Sequence, residues 1–270
     1  MKIEAGTPNS TSDLTHEGPI PRGVALLRLL ATAGRKGAAL TVLAQRAGLP
    51  NSTVHRLLAQ MVKLRLVMQL DDRQAYVLGP LAYELGLVAA QQFDIRQLCR
   101  PAMERLATES AETVYLVQRS GMEAVCIDFE QGPGTLRVVT LQMGSRRPLG
   151  LGAGGLAILA AMPPDEIEEV LAVVMGPIEK EWRFTPQELR ASLQQAQAQG
   201  HAVIKNRITP GVTAFGMSFK DSLGQVFGAV TVAGLNNRLT PARITTLRQG
   251  LHQAVQGIER ALRGHQWARH

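Results

Sequence analysis

Polar side chains open the segment NSTVHRLLAQM, residues 51–61, and apolar residues dominate the rest of it. On a helix that begins at Asn51, the apolar residues share one face and the polar ones point away from it. Hydroxyl, amide and guanidinium groups near a helix N-terminus can bind phosphates or the edges of bases. The segment therefore predicts a nucleic-acid contact that involves Asn51, Ser52, Thr53, His55, Arg56 and Gln60.

A simpler interpretation is that Asn51 and Ser52 only cap the helix, which is the usual role of such residues at this place. In the alternative, Arg56 binds guanine or phosphate and Asn51 reaches adenine, with about 1–3 kcal/mol of discrimination for each good base contact. The residues around the segment decide between the two interpretations.

Charge is distributed unevenly along the 270 residues, which carry a net charge of +7 and have a pI near 9.9. Residues 86–270 are nearly balanced, with 19 Lys and Arg against 16 Asp and Glu. Residues 18–70, in contrast, contain no acidic residue at all. A basic surface can serve solubility alone, but an acid-free run of this length favours a polyanionic partner. Its eight cations are Arg22, Arg28, Arg35, Lys36, Arg46, Arg56, Lys63 and Arg65.

Hydrophobic periodicity predicts three helices and a β-hairpin in the basic region. The first helix ends at Gly34, the second runs from about Thr41 to Gly48, and the third continues from Asn51 to about Lys63. Two short strands, LVMQL and AYVLG, follow and are joined by a turn at residues 71–74. This order is typical of a winged helix-turn-helix. Further DNA contacts are expected from Thr41, Arg46 and the wing residue Arg73, whereas Lys63 and Arg65 are expected to be solvated.

The second half alternates strands and helices without an internal repeat, which predicts an α+β domain with an antiparallel sheet flanked by helices. Thr185-Pro-Gln-Glu188 has the form of a capping box, and Thr240-Pro241 that of a helix start. The predicted strands are residues 113–118, 124–129, 136–142, 201–204, 212–219 and 225–233. The predicted helices are residues 94–110, 155–161, 164–174, 186–199 and 241–263.

The expected domain boundaries follow from these elements. They give a disordered N-terminal arm (residues 1–20), a winged helix-turn-helix domain (21–79) and a linker helix (80–93). An effector-binding domain (94–264) and a C-terminal tail (265–270) follow.

Several segments in this order resemble IclR-type transcriptional regulators. They are PRGVALLRLLATAG, LTVLAQRAGLPNSTVHRLLAQMVKLRLV, YVLGPLAYELG, GSRRPLGLGAGGLAILAAMP, QGHAVIKNRITPGVTAF and FGAVTVAG. The resemblance implies a GAF-like effector domain behind the DNA-binding domain. It also implies a homodimer or homotetramer on a pseudo-palindromic double-stranded operator, with DNA binding controlled by a small metabolite. The alternative is a constitutive nucleic-acid-binding or architectural protein whose second domain only mediates oligomerisation.

The run GLGAGG at residues 150–155 matches the G-x-G-x-x-G pattern of dinucleotide sites, but that pattern must directly follow a strand of a parallel sheet. Arg146-Arg147-Pro148 precedes the run and no parallel sheet is predicted. The preferred interpretation is a small-ligand cavity lined by backbone at Gly152, Ala153, Gly154 and Gly155, with helix amides available to a carboxylate. The alternative is that these glycines only permit tight packing of a helix on the sheet.

The resemblance adds Leu141, Leu149, Lys205, Ala214, Thr231 and Ala233 to the pocket. Family members often have His at position 150, Thr or Ser at 152 and Gly-Lys at 155–156. They often have acidic residues at 205–207 and a Cys near Ala214. These departures predict a roomier, less polar cavity with a cationic rim. They favour an anionic ligand larger than pyruvate, such as an aromatic carboxylate.

Enzymatic motifs are absent from the sequence: it contains no G-x-S-x-G, no H-E-x-x-H and no Walker loop. Cys126 lies in a predicted strand and is expected to be a buried apolar residue. The six histidines lack metal-ligand spacing, and the two cysteines form no CxxC. No signal peptide or membrane span is recognisable. We therefore expect a cytoplasmic regulator without enzymatic activity, cofactor or metal.

Overall fold

The computed structural model describes residues 18–70, 74–93, 95–133, 140–221 and 223–263. The chain divides into two compact units, Met1–Asp94 and Ile95–His270.

The N-terminal unit is a winged helix-turn-helix, as the sequence predicts. Its helices and strands are α1 Pro19–Ala33, β1 Ala38–Ala39, α2 Leu40–Ala47, α3 Asn51–Lys63, β2 Val67–Leu70, β3 Ala75–Leu78 and α4 Pro80–Phe93. The two-residue strand β1 was not predicted; it pairs with β3 and completes a three-stranded antiparallel sheet of order β1-β3-β2. Helix α1 begins inside the stretch predicted as a disordered arm, of which residues 1–17 lie outside the described part.

Gly48 makes the turn between α2 and α3. Its φ of 63° and ψ of 28° lie in the left-handed region that glycine adopts without steric cost, and its N–H donates to the carbonyl of Gln45. The three helices close over a core in which Leu26, Leu43 and Leu58 are fully buried. The turn and this core together fix the direction of α3.

The C-terminal unit has one six-stranded sheet, order β6-β5-β4-β9-β8-β7, in which every pair of neighbours in the described part is antiparallel. Its strands are β4 Thr113–Ser120, β5 Glu123–Gln131, β6 Arg146–Pro148, β7 Ala202–Lys205, β8 Val212–Lys220 and β9 Val226–Leu235. Its helices are α5 Ile95–Ser110, α6 Gly152–Ala160, α7 Pro164–Trp182, α8 Pro186–Gln199 and α9 Pro241–Arg263. The predicted α+β class is confirmed.

Two apolar cores lie on opposite faces of this sheet. Tyr115 and Val117 of β4 pack into the core formed with α6, α7 and α8, whereas Val114 and Leu116 pack into the core with α5 and α9. This alternation follows from the two-residue period of a strand. It leaves the first face of the sheet available to α6, whose start carries the glycine run.

Three predictions about this unit differ from the structure. The strand expected at 136–142 is wrong where the chain is described: Thr140 N–H donates to the Tyr115 hydroxyl and Gln142 N–H to the Ser145 hydroxyl, so a turn replaces it. Strand β6 follows instead. Helix α6 begins three residues earlier than predicted, at Gly152, and its glycines are buried. Helix α7 runs past Pro177, because buried Val174 and Ile178 hold its second half on the core.

Candidate functional site

Helix α3 separates its two faces as predicted. Val54, Leu57, Leu58 and Met61 are buried. The opposite side is exposed at Asn51, Ser52, His55, Arg56 and Gln60, and Thr53 is half-buried. All six polar residues therefore lie on or beside one solvent-facing surface, the recognition face. Whether they contact DNA remains a prediction.

The capping interpretation of the recognition face is not supported by the geometry. Pro50 is the N-cap of α3, and no side chain caps the helix. Asn51 and Ser52 thus lie inside the first turn, with side chains free of a capping bond. The backbone N–H groups of a first helical turn have no partner within the helix and carry partial positive charge. The recognition face therefore combines hydrogen-bonding side chains with a helix end that attracts anions.

The other predicted DNA contacts are distributed around this face. Thr41 and Arg46 are exposed on α2. Arg73 lies outside the described residues. Arg65 forms a solvent-exposed ion pair with Glu84 of α4, at 3.5 Å, and Lys63 is exposed at the far end of α3. Both placements agree with the expectation that Lys63 and Arg65 are solvated.

A cavity in the C-terminal unit lies between the first turn of α6 and the sheet. Eight of the ten predicted pocket residues line it: Leu141, Gly152, Ala153, Gly154, Gly155, Ala214, Thr231 and Ala233. Further lining residues that the sequence did not indicate are Tyr115, Val117, Ala124, Cys126, Thr140, Ser145, Arg147, Leu151, Ile204, Ile208, Thr209 and Val212. The structure thus brings most of the candidate set to one place.

Leu149 and Lys205 do not line the cavity, and the expected cationic rim is placed differently. Leu149 is fully buried in the apolar core, and Lys205 is exposed at the end of β7. Arg207 pairs with Glu188 and lies over the ring of Phe184, with its guanidinium carbon 4.8 Å from the ring centroid. The positive charge in the cavity belongs instead to Arg147, which precedes the glycine run and was not among the predicted pocket residues.

The glycines of the run have different steric roles. A Cβ on Gly154 would lie 2.8 Å from Thr231 Oγ1 and 3.0 Å from Val117 Cγ2, so this glycine is required for packing. A Cβ on Gly155 would meet nothing closer than 3.5 Å. Gly152 has a φ of 76°, which favours glycine. Close packing and a bare cavity wall thus coexist, and the sheet is antiparallel, so a dinucleotide motif lacks its required context.

Two hydrogen bonds fix the chain at Thr140, on the wall of the cavity. Its N–H donates to the hydroxyl of the fully buried Tyr115, and its carbonyl accepts from Arg147 Nη2 at 2.9 Å. Burial raises the pKa of Tyr115 and lowers that of Arg147 to about 10. The phenol is therefore neutral and the guanidinium charged near pH 7.

The hydroxyl of Thr231 is buried and has no hydrogen-bond partner among the described residues. Thr231 is 5 % exposed and lies on β9 beside Gly154. A buried polar group without a partner costs free energy, roughly 1–3 kcal/mol, and marks a place where a ligand or water belongs. The cavity therefore offers an unused hydrogen-bonding group.

The cysteines of the C-terminal unit are buried and unreactive. Burial, assisted by the charge of Asp128, raises the pKa of both Cys99 and Cys126 to about 12, so neither thiol is a reactive nucleophile at neutral pH. No group of three or more His, Cys, Asp and Glu in the described ranges could hold a metal ion. None of the described helices is both long and apolar enough to cross a membrane.

Both units match models of one protein family. Residues 19–71 match the IclR helix-turn-helix domain, and residues 87–260 match the C-terminal domain of the bacterial transcriptional regulator IclR. Among characterised relatives, the HTH-type transcriptional regulator KipR of Bacillus subtilis is 29% identical over 229 residues, 83% of this chain and 89% of the relative. The transcriptional repressor IclR of Escherichia coli is 27% identical over 248 residues, 91% and 90% of the two chains.

Solved structures share the fold. A regulator from Silicibacter sp. TM1040 has a TM-score of 0.79 at 23% identity, with 92% of this chain and 97% of that chain covered. An IclR homologue from Microbacterium hydrocarbonoxydans, solved in complex with 4-hydroxybenzoate, has a TM-score of 0.70 at 23% identity, over 92% of this chain and 100% of the other. The relatives are regulators and not enzymes. The chain belongs to the IclR family of bacterial transcriptional regulators.

Proposed function

We propose that this regulator recognises a specific operator with the recognition face of α3 and that a small anionic effector in the cavity controls its operator binding. The observation that carries the proposal is the recognition face itself. It presents hydrogen-bonding side chains at a helix N-terminus, exposed and without a capping role, within residues 18–70, which contain no acidic residue. Such a face suits the major groove, where side chains and helix amides reach bases and phosphates together.

The effector side of the proposal rests on the cavity. The amides at the start of α6, the charged Arg147 and the unpartnered Thr231 hydroxyl suit a carboxylate with a further polar group. An apolar wall of aliphatic side chains suits a ring. 4-Hydroxybenzoate, with which the Microbacterium homologue was solved, belongs to this chemical class. An effector acts only through its different affinity for the two states of the regulator, and the state that it prefers sets the sign of regulation.

A dimer is part of the proposal, since one α3 reads too few base pairs and two half-sites lie about 34 Å apart. Helix α4 exposes Tyr83, Leu85, Leu87 and Val88, each more than half exposed. Exposed apolar side chains in this number on one helix are typical of an interface. We infer that a second copy covers them.

Replacement of Leu87 and Val88 by Glu should therefore reduce the mass of the assembly in sedimentation, because charges would be buried in the interface. Leu223→Glu, which adds a charge at an exposed loop position, is the control and should leave the mass unchanged. A wild-type protein that sediments as a monomer at micromolar concentration would contradict the dimer.

The alternative is a constitutive DNA-binding protein whose second unit only mediates oligomerisation. The cavity argues against it, because a scaffold needs no unpartnered polar group in an internal cavity. The two differ in a thermal-shift measurement: an effector at a hundred times its Kd stabilises the protein by about 2.7 kcal/mol, whereas a scaffold does not respond.

The direct test uses DNA from upstream of the protein's own coding sequence and a scrambled duplex of equal length, over a series of salt concentrations. A preference of about 10³ or more at physiological salt supports a sequence-specific reader. Equal affinities that fall together with salt indicate phosphate attraction alone and count against the proposal. Addition of 4-hydroxybenzoate to the specific complex then tests effector control.

A further inference from the structure

We propose that Arg147 binds the effector's carboxylate, and that the cavity accepts a ligand with one negative charge and rejects dianions. The inference rests on the proposed effector-binding function of the cavity and assigns the group that recognises charge.

Arg146 and Arg147 are neighbours on β6, and their side chains leave the strand on opposite faces. Arg146 donates through Nε to Glu123 at 2.8 Å and through Nη2 to the Ser120 hydroxyl, so its charge is neutralised within the protein. Arg147, opposite Ala124 in the register, lines the cavity. One arginine of the pair is therefore structural, and the other faces the ligand space.

Neutral groups alone hold the Arg147 guanidinium in the described part of the chain. Its Nη2 donates to the Thr140 carbonyl, and its guanidinium carbon lies 5.7 Å from the centroid of the Trp182 ring. Its Nη1 lies next to α6, 3.4 Å from the place a Cβ on Gly152 would take. Neither Nη1 nor Nε has a hydrogen-bond partner among these residues. The open edge of the guanidinium thus meets the amide end of α6.

A partly buried cation without a counter-ion is unfavourable for the free protein. Burial lowers the pKa of Arg147 to about 10, which is the expected sign of that cost and leaves the group charged at neutral pH. A carboxylate offers two oxygens in the geometry of a guanidinium edge, and charge-assisted bonds of this kind are about twice as strong as neutral ones. The ligand would supply the missing counter-ion.

The other described lining residues carry no charge at neutral pH. A second carboxylate on the ligand would have no cation to pair with and would lose its hydration. A neutral polar group on the ligand could form a hydrogen bond with Thr231 Oγ1, which has no partner among the described residues. This hydroxyl lies on β9 and faces Gly154 in the first turn of α6. The cavity therefore selects a monocarboxylate with an apolar body and one neutral hydrogen-bonding group.

The test compares wild type with Arg147→Met, Arg147→Lys and the control Lys205→Met, which removes an exposed charge outside the cavity. The probes are 4-hydroxybenzoate, the dianion terephthalate and the neutral 4-hydroxybenzyl alcohol. Binding is followed by calorimetry and by Trp182 fluorescence, with Trp267 replaced by Phe because the chain has two tryptophans.

We expect Arg147→Met to weaken the binding of 4-hydroxybenzoate about 10- to 150-fold, which is the range for loss of a hydrogen bond to a charged group. Lys205→Met should bind as wild type does, Arg147→Lys should lose part of the affinity, and the neutral alcohol should bind all four proteins alike. Terephthalate should bind wild type at least about tenfold more weakly than 4-hydroxybenzoate. The melting temperature of ligand-free Arg147→Met should equal or exceed that of wild type.

Three results would overturn the inference, and they separate it from the proposed function. If 4-hydroxybenzoate binds wild type and Arg147→Met with equal affinity, the cavity is still an effector site, but Arg147 is not the group that binds the carboxylate. A lower melting temperature of Arg147→Met, with binding of the neutral alcohol lost as well, makes Arg147 a structural residue. If wild type binds the alcohol but no acid, or binds no probe, the anionic effector class fails together with the inference.

Discussion

Arg56→Ala should weaken binding to the specific operator about 5- to 150-fold, while affinity for unrelated DNA falls only slightly. Arg56 is exposed on the recognition face of α3, one turn beyond Asn51, and forms no ion pair among the described residues. A good contact between an arginine and a base contributes about 1–3 kcal/mol of discrimination. The measurement is fluorescence anisotropy on operator and scrambled duplexes at one fixed salt concentration.

Lys63→Ala is the matched control, since it removes one positive charge from the opposite end of the same helix. Loss of a phosphate contact weakens binding to all DNA sequences about equally. It also reduces the slope of log affinity against log salt concentration by about one. If Arg56→Ala and Lys63→Ala weaken both duplexes to the same extent, Arg56 contributes only long-range attraction. The assignment of the recognition face would then be wrong for this residue.

The N-terminal unit could be predicted well because its determinants are local. The four buried residues of α3, from Val54 to Met61, have helical spacing, and Gly48 is where a left-handed turn residue is needed. The absence of acidic residues from positions 18–70 points to the same function. Strand β1 was not predicted, because its two residues have no hydrophobic pattern of their own. They form a strand only because they pair with β3.

The cavity was predictable only in part, because its composition depends on long-range pairing. The glycine run pointed to the right helix, and the resemblance added Ala214 and Thr231 to the pocket; the structure places them on the adjacent strands β8 and β9. Arg147 gave no such signal. An Arg-Arg-Pro sequence looks like a loop until Arg146–Pro148 pairs with β5, and only that pairing turns one arginine toward Glu123 and the other toward the cavity.

Gly216→Ala should abolish high-affinity effector binding and destabilise the C-terminal unit by about 3 kcal/mol, the upper part of the range for overpacking. Gly216 lies on β8 directly beneath α6. A Cβ there would be 2.3 Å from the carbonyl oxygen of Ala153 and 3.0 Å from the amide nitrogen of Gly154. Because the obstacles are backbone atoms, no rotamer relieves the clash, and the first turn of α6 must move away from the sheet. Thermal unfolding and calorimetry with 4-hydroxybenzoate measure the two effects.

Gly155→Ala tests the same turn of α6 with the opposite expectation. A Cβ at Gly155 meets only ordinary contacts, at 3.5 Å, and alanine stabilises a helix interior by about 0.5–1 kcal/mol relative to glycine. Its melting temperature should therefore equal or exceed that of wild type. If Gly216→Ala also unfolds at the wild-type temperature and binds effector normally, α6 is not held at this spacing. The amides of its first turn would then not be the fixed wall that carboxylate binding requires, because a displaced helix end cannot complete the site that Arg147 begins.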